Sequence, residues 1–359
     1  MGKILKSRRA LAAIFIVIVA VSVTGLSSYQ VMNNQRFAQQ SYILGLIFFQ
    51  LGQPRIVSMA PHIDEILLGL GLEEYIVGCT SHDPYGLGYE MRDFYLPRIV
   101  ELILSGKIYN GINWWAPSVE DVVNLNPNIV LLDSGVTSQV SMYYSLISQG
   151  IFSFLVSQGT RISEIEVSIL QIGSLFKRSS VAQALVDKMN TKISTIQGNV
   201  SSQTVVNVLM CVWIDFDQQT VLTCGNNTFV SEMIQKAGGL NIFYDSSLSW
   251  PTLPMGDAAA RNPSKIIILD HNAFLDPYET ISNLGSTPLA GTPAYTSGEV
   301  YFIQGQADNL LTRPGPRVAE GVELLANMLF PALFNATFDY PHILNTDNYK
   351  GYLDSFILE

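Results

Sequence analysis

The sequence predicts an α/β protein of two lobes, on three observations. Two stretches 136 residues apart repeat one another. The first runs Trp114-Trp115-Ala116-Pro117-Ser118-Val119-Glu120-Asp121, then Asn126-Pro127, then the apolar run 129–132 ending at Asp133. The second runs Trp250-Pro251, then Gly256-Asp257, then Asn262-Pro263, then the apolar run 266–269 ending at Asp270. In both, a tryptophan stands the same distance before Asn-Pro, with a short helix after it and a buried strand ending in aspartate. Second, short apolar runs alternate with helical patterns along most of the chain, which argues for largely parallel sheets. Third, 359 residues are enough for two ordinary cores. Two lobes imply a cleft.

The elements follow in order. Residues 55–59 read as a strand, and Ala60-Pro61 leads into an apolar helix over 63–70 with Gly71 where a helix C-terminal glycine belongs. A strand over 75–79 is followed by the polar loop 80–88. Ser118 caps a helix that Pro127 ends, and 129–132 is a buried strand. A helix over 140–149 leads to a strand over 152–156. From 162 to 196 the pattern is helical, with Ala182, Leu185, Val186 and Met189 on one face, and forms the natural connection between the lobes. The second lobe opens with a strand over 205–213. It continues through a helix stopped by Gly238-Gly239, the Trp250 segment and the strand 266–269. A strand over 300–303 and a helix over 316–329 complete it. The expected organisation is therefore 1–53 as anchor or signal segment plus stalk, 54–160 as the first α/β lobe and 161–203 as helical linker. The second α/β lobe is 204–331, and 332–359 is a polar and aromatic extension.

Composition narrows the function. With 20 Lys+Arg against 30 Asp+Glu, the chain lacks the basic face that nucleic-acid phosphates require. A charged fraction of only 14% suits an extracellular protein. Sequons at Asn199, Asn226 and Asn335 are compatible with export. Cys79, Cys211 and Cys224 lack metal-site spacing. Cys211 and Cys224 flank a hairpin, where a disulfide or two small buried hydrophobes both fit.

The N-terminus carries Lys3, Lys6, Arg8 and Arg9, then an uncharged stretch over 10–35 that is nearly all apolar to Leu26. About 20 such residues span a bilayer. The basic cluster keeps that end cytoplasmic and places the bulk outside. A retained single-pass N-terminal transmembrane helix is the first reading, a cleaved signal peptide the second. The tetrad Arg9-Ala10-Leu11-Ala12 resembles a prepilin-type processing site, which keeps a surface-assembly protein among the alternatives. The apolar run 42–51 is too short to span.

In open α/β sheets, ligands collect outside the carboxyl ends of the strands. The residues following the strands are His62; His82, Asp83 and Tyr85; Asp133; Trp213 and Asp215; Asp270 and His271; and Gln306, Asp308 and Arg313. His62, His82 or His271 could serve as axial ligand to the metal of a bound chelate, or could simply hydrogen-bond in polar loops. Trp114, Trp115 and Trp250 fall in loops, at two matching positions, which suits a flat aromatic or macrocyclic ligand. Catalytic motifs are missing: no Gly-x-Ser-x-Gly elbow, His-Glu-x-x-His, phosphate loop or dinucleotide fingerprint occurs. A surface α/β hydrolase or metalloenzyme would have to assemble from these histidines and aspartates.

Five segments carry a resemblance. They are Arg55-Ile56-Val57-Ser58-Met59-Ala60-Pro61-His62 with its helix to Gly71, Ser118-Val119-Glu120-Asp121, and Asn126-Pro127-Asn128-Ile129-Val130. Ala237-Gly238-Gly239-Leu240-Asn241-Ile242 and Thr312-Arg313-Pro314-Gly315-Pro316-Arg317 follow. In this order, over 54–331, the chain resembles the extracellular binding proteins of ABC importers for ferric siderophores, haem or cobalamin. The resemblance implies two Rossmann-like lobes joined by a long rigid interlobe helix, with the chelate in the interlobe cleft. It also implies no catalysis, no cofactor, and delivery to a membrane permease with its ATPase. Iron complexes come first on family frequency, cobalamin close behind. Trp114 and Trp250 match ligand-contacting aromatics, and Arg313 a position near the pocket mouth. Tyr85, Trp115, Trp213 and the three histidines complete the expected ligand set. Glu120 matches a permease-docking acid; the second lobe has Gly256 there, with Asp257 one residue later. Carboxylates in a first helical turn are also favoured simply by the helix dipole.

Overall fold

The computed structural model describes residues 53–86, 88–270 and 275–358. The expected N-terminal membrane helix, the apolar run 42–51 and His271 lie outside the described residues. Among the described residues no helix is long and apolar enough to cross a membrane.

The chain divides into two compact α/β units. The first contains the described residues up to Ser81, then Leu102–Ser157 and Leu170–Ala182; the second contains His82–Glu101, Gln158–Ile169 and the chain from Gln183 onward. The first unit holds five parallel strands, β1 (Ile56–Ser58), β2 (Ile76–Thr80), β3 (Tyr109–Ile112), β4 (Ile129–Asp133) and β5 (Ser153–Val156), in the order β3-β2-β1-β4-β5. All five residues of β4 are buried, as expected of a central parallel strand covered on both faces. Val57, Val130 and Leu132 pack with Val122, Met142 and Leu146 to form the core.

The second unit holds β6 (Val206–Asp215), β7 (Thr220–Thr223), β8 (Gly239–Asn241), β9 (Thr252–Pro254), β10 (Lys265–Asp270), β11 (Val300–Gln304) and β12 (His342–Leu344). The sheet order is β12-β11-β10-β6-β7-β9, with β8 also on β6. β12, β11, β10 and β6 run parallel, while β7 and β9 join antiparallel. The C-terminal extension thus supplies the edge strand β12.

The repeated segments fold alike. Helices Val119–Asn124 and Met255–Ala260 keep the 136-residue offset, and each ends at an asparagine in the left-handed region, Asn126 (φ 49°) and Asn262 (φ 55°). Asparagine tolerates that conformation, and the proline after it cannot continue a helix. Each following strand then lies parallel beside the first strand of its unit.

The stretch 162–196, read from sequence as helical throughout, is two helices, Ile162–Leu175 and the 22-residue Ser179–Val200. The chain turns at Lys177 (φ 56°), and Gly173 lets the second helix approach: a Cβ there would stand 2.3 Å from the Ala182 Cβ. Periodicity continues through such a corner because both helices bury an apolar face, so the break is invisible to it. Cys79, Cys211 and Cys224 are buried, and none of the three is in a disulfide. Burial pushes the Cys211 and Cys224 thiols up to about 12, which makes them inert hydrophobes rather than reactive thiols.

Candidate functional site

In the first unit the carboxyl ends of β1, β3 and β4 are tied together by one side chain. Gln139 is fully buried on helix Thr137–Ser148. Its Nε2 donates to the carbonyls of Met59 (2.8 Å) and Trp114 (3.3 Å), and its Oε1 accepts from the Asp133 N–H (2.8 Å). Asp133, itself buried, accepts from Gly135 N–H through Oδ1 at 2.8 Å. These bonds hold the loop after β3, where Trp114 and Trp115 stack with ring centroids 5.0 Å apart. Asn113 Oδ1 accepts from both Trp115 N–H and Ala116 N–H. Trp115 remains 56% exposed, while the Trp114 indole N–H is covered and lacks a hydrogen-bond partner among the described residues. The result is an aromatic platform on a pinned backbone.

His62 follows β1 as expected, but in the first turn of helix Pro61–Gly69 it is buried together with Asp64 and Glu65. Its imidazole belongs to the interior.

The other expected residues fall in the second unit, including those in the loop after β2. His82 is half-buried, 6.1 Å from the Tyr95 ring. Burial lowers its pKa more than the neighbouring Asp83 charge raises it, which favours the neutral, ligand-competent imidazole. Asp83 accepts from Gly88 N–H at 2.8 Å, and Tyr85 is exposed. Burial, and then the charges of Asp83 and Asp270, push the Tyr89 phenol up, so this loop lies within electrostatic reach of the carboxyl end of β10. Asp270 is buried and accepts from Leu275 N–H at 3.2 Å. Trp213, on β6 opposite Leu222, and Trp250 are about half exposed. Arg313 is buried with its guanidinium 4.8 Å over the Phe94 ring.

Sequence reasoning missed Gln139 and Asn309, and it picked out Gln306 and Arg317 without the partners they hold. Gln306 Nε2 donates to the Arg92 and Tyr95 carbonyls (both 3.1 Å), and its Oε1 accepts from Arg317 Nη1 (2.8 Å). Asn309 Nδ2 donates to the Asp93 carbonyl at 2.7 Å. These bonds seat helix Met91–Phe94 on helix Gly305–Thr312 and explain why residues 82–101 group with the second unit. A signal existed for Gln139: it lies on the same helix face as the buried Met142 and Leu146, where an amide is out of place unless it has backbone partners.

Glu120 and Asp257 are both exposed, each in the first turn of its helix. Gly256 has open space around it: an added Cβ would meet nothing within 4 Å. Among the described residues no group of three or more His, Cys, Asp or Glu could hold a metal ion. A groove of about 600 Å³ in the second unit is lined by Ile162, Glu166, Asn190, Ser194, Glu232 and Lys236 among others, none of them in the expected ligand set.

One unit with an all-parallel sheet and one with a mixed, mainly parallel sheet, each flanked by helices, define a two-unit α/β protein. The periplasmic binding protein family matches residues 56–307, and the chain belongs to that family. It is 26% identical over 284 residues to the ABC transporter substrate-binding lipoprotein YvrC of Bacillus subtilis, covering 78% of this chain and 81% of that one. It is 25% identical over 276 residues to a cobalamin-binding protein of Halobacterium salinarum, covering 76% of this chain and 68% of the other. Among solved structures, the periplasmic heme-binding protein RhuT of Roseiflexus sp. RS-1 shares the fold at a TM-score of 0.62 and 22% identity, covering 79% of this chain and all of that one.

Proposed function

We propose that this chain is the non-enzymatic substrate-binding component of an ABC importer for a metal chelate. The observation that carries this reading is the stacked Trp114–Trp115 pair, held at the end of β3 by buried Gln139 while Trp115 stays open to solvent. Leaving so much aromatic surface exposed on a pinned backbone has a cost that a flat ligand recovers. Trp213 and Trp250 offer similar surface from the second unit. Cobalamin is the chelate best supported, because the cobalamin-binding relative matches over two thirds of its length. Iron chelates and haem follow. Arg313 and the neutral His82 supply charge and an axial imidazole, with His271 a further candidate; His62 would first have to be uncovered. Glu120 and Asp257 dock the loaded protein on the permease, and the N-terminal segment tethers it outside the cell.

Titration of the full-length chain with cyanocobalamin, haemin and a ferric hydroxamate tests the reading. One of them should bind below about 10 μM, or roughly 7 kcal/mol; failure of all three overturns it. Glu120→Arg should leave that affinity within about twofold and abolish uptake in reconstituted vesicles, since charge reversal at a docking face costs several kcal/mol. Loss of ligand binding instead would remove Glu120 from the docking surface.

A further inference from the structure

The C-terminal tail lies beyond the residues that the family matches, yet it is woven into the second unit. β12 extends the sheet beside β11, with His342 opposite Tyr301 and Leu344 opposite Ile303. The chain then turns back over segment 91–95. Thr346 Oγ1 donates to Asp93 Oδ1 at 2.5 Å and accepts from Gln306 N–H at 2.9 Å. Asp347 receives Arg92 through Nη1 (2.7 Å) and Nη2 (3.3 Å), while Arg92 Nε also reaches Glu90. Gly305 (φ 60°) makes room for this junction, because a Cβ there would stand 2.4 Å from Thr346 Oγ1 and 3.2 Å from Asp93 Oδ1.

Further along, the tail is anchored to the core of the unit. Tyr349 is buried and its hydroxyl accepts from Arg317 Nη2 at 3.1 Å. Tyr352 O accepts from Asn327 Nδ2. Asp354 N–H and Ile357 N–H donate to the buried carboxylates of Glu323 (2.9 Å) and Glu320 (2.7 Å). Lys192 donates to Ser355 O at 2.8 Å and pairs with Glu323 at 2.5 Å. One end of the strap is therefore fixed to helices 179–200 and 318–329, and the other grips helix Met91–Phe94.

We propose that the C-terminal tail is a positioning strap for the ligand site. Thr346 and Asp347 hold helix Met91–Phe94, and through it the loop that carries His82, Asp83 and Tyr85. This rests on the chelate-binding reading above. The polypeptide on either side of residues 82–101 belongs to the other unit, so this segment owes its place on the second unit to side-chain contacts rather than to its neighbours in sequence. Asp93 and Arg92 have tail partners, while Gln306, Asn309 and the Arg313 guanidinium over Phe94 add to the grip.

Hydrogen–deuterium exchange of the full-length chain, read beside cyanocobalamin and haemin titrations, tests the strap. In Thr346→Val/Asp347→Asn, amides over 88–96 should exchange at least about tenfold faster, the size expected for losing charge-assisted bonds. The affinity for whichever probe the wild type binds should fall at least about fivefold. Thr346→Ser, which keeps the hydroxyl, should behave as wild type in both. Asp347→Asn alone, at an exposed pair, should give a smaller but equally local change. Unchanged exchange over 88–96, or equal acceleration in β4 and β5, overturns the strap. Local acceleration with unchanged affinity overturns its role at the ligand site. If the wild type binds neither probe, cobalamin and haem are removed as ligands, and exchange alone decides whether the tail holds the segment.

Discussion

The two repeated segments share a backbone and differ in chemistry. Helices Val119–Asn124 and Met255–Ala260 end alike at a left-handed asparagine. At the start they part: Ser118 Oγ accepts from Asp121 N–H at 3.3 Å, whereas Pro254 at the matching position has no side-chain acceptor and instead pairs with Thr220 in the sheet. Before the helix, Trp114 sits on a backbone that Gln139 clamps, and Trp250 sits in the connection to β9. In the first turn of the helix stands Glu120 in one unit and an open glycine, Gly256, in the other. A common frame therefore fixes where each loop emerges, and the side chains at its ends set what the loop does.

The comparison breaks most severely at Gln139. Gln139→Leu fits the volume but strands the Met59 and Trp114 carbonyls and the Asp133 N–H, all near buried strand ends. Unfolding in urea should show a loss of about 3 kcal/mol, since each buried group left unpaired costs about 1–3 kcal/mol. A tenth of that would mean water replaces the amide. Next come the tryptophans: Trp114→Ala and Trp250→Ala should each weaken binding of the proposed chelate by about 5- to 30-fold, or about 1–2 kcal/mol, measured by calorimetry. An effect from one alone would assign the aromatic contact to a single unit.

The helix starts give smaller changes of opposite sign. Ser118→Ala should cost about 1 kcal/mol by removing the cap, while Gly256→Glu should stabilise by up to about 1 kcal/mol, because it replaces a helical glycine in open space. Thermal melts of both variants check the pair. If Gly256→Glu also raises uptake, the missing acid was a docking contact. The mildest test is pH. Burial lowers the His82 pKa, so its imidazole keeps the neutral form to lower pH than an ordinary histidine does. If it ligates the chelate metal, affinity should be flat from pH 8 to about 6.5 and fall only at lower pH, where the native ring takes up its proton. His82→Gln should remove that fall; an unchanged profile would exclude His82 as the ligand.

Much of the frame was legible. Apolar runs located the buried strands, and Ser118, Gly71 and the two Asn-Pro pairs marked helix ends, because these features act through bonds to residues only a few positions away. The loop positions of Trp114, Trp115 and Trp250 were legible for the same reason, since they follow from the turn residues around them. The break at Lys177 was not, since amphipathic patterning runs on across a helix corner. His62 was read as a residue of the cleft edge because it follows β1, but the start of its helix places it in the interior. The arginines of Thr312-Arg313-Pro314-Gly315-Pro316-Arg317 were noticed as a motif, yet their partners, Phe94 for Arg313 and Gln306, Glu320 and Tyr349 for Arg317, were invisible.

By itself, then, the amino-acid sequence determined the alternation of strands and helices, the repeat and its spacing, and the family. All three depend on local propensity and on short-range caps. Only the tertiary structure decided which segments share a unit. Residues 82–101 join the second through bonds such as Asn309 to Asp93, 216 positions apart, and Thr346 to Asp93, 253 apart. Gln139 reaches Met59 across 80 positions. Polar contacts at such separations form only after the apolar cores have brought their partners together, so no local pattern encodes them.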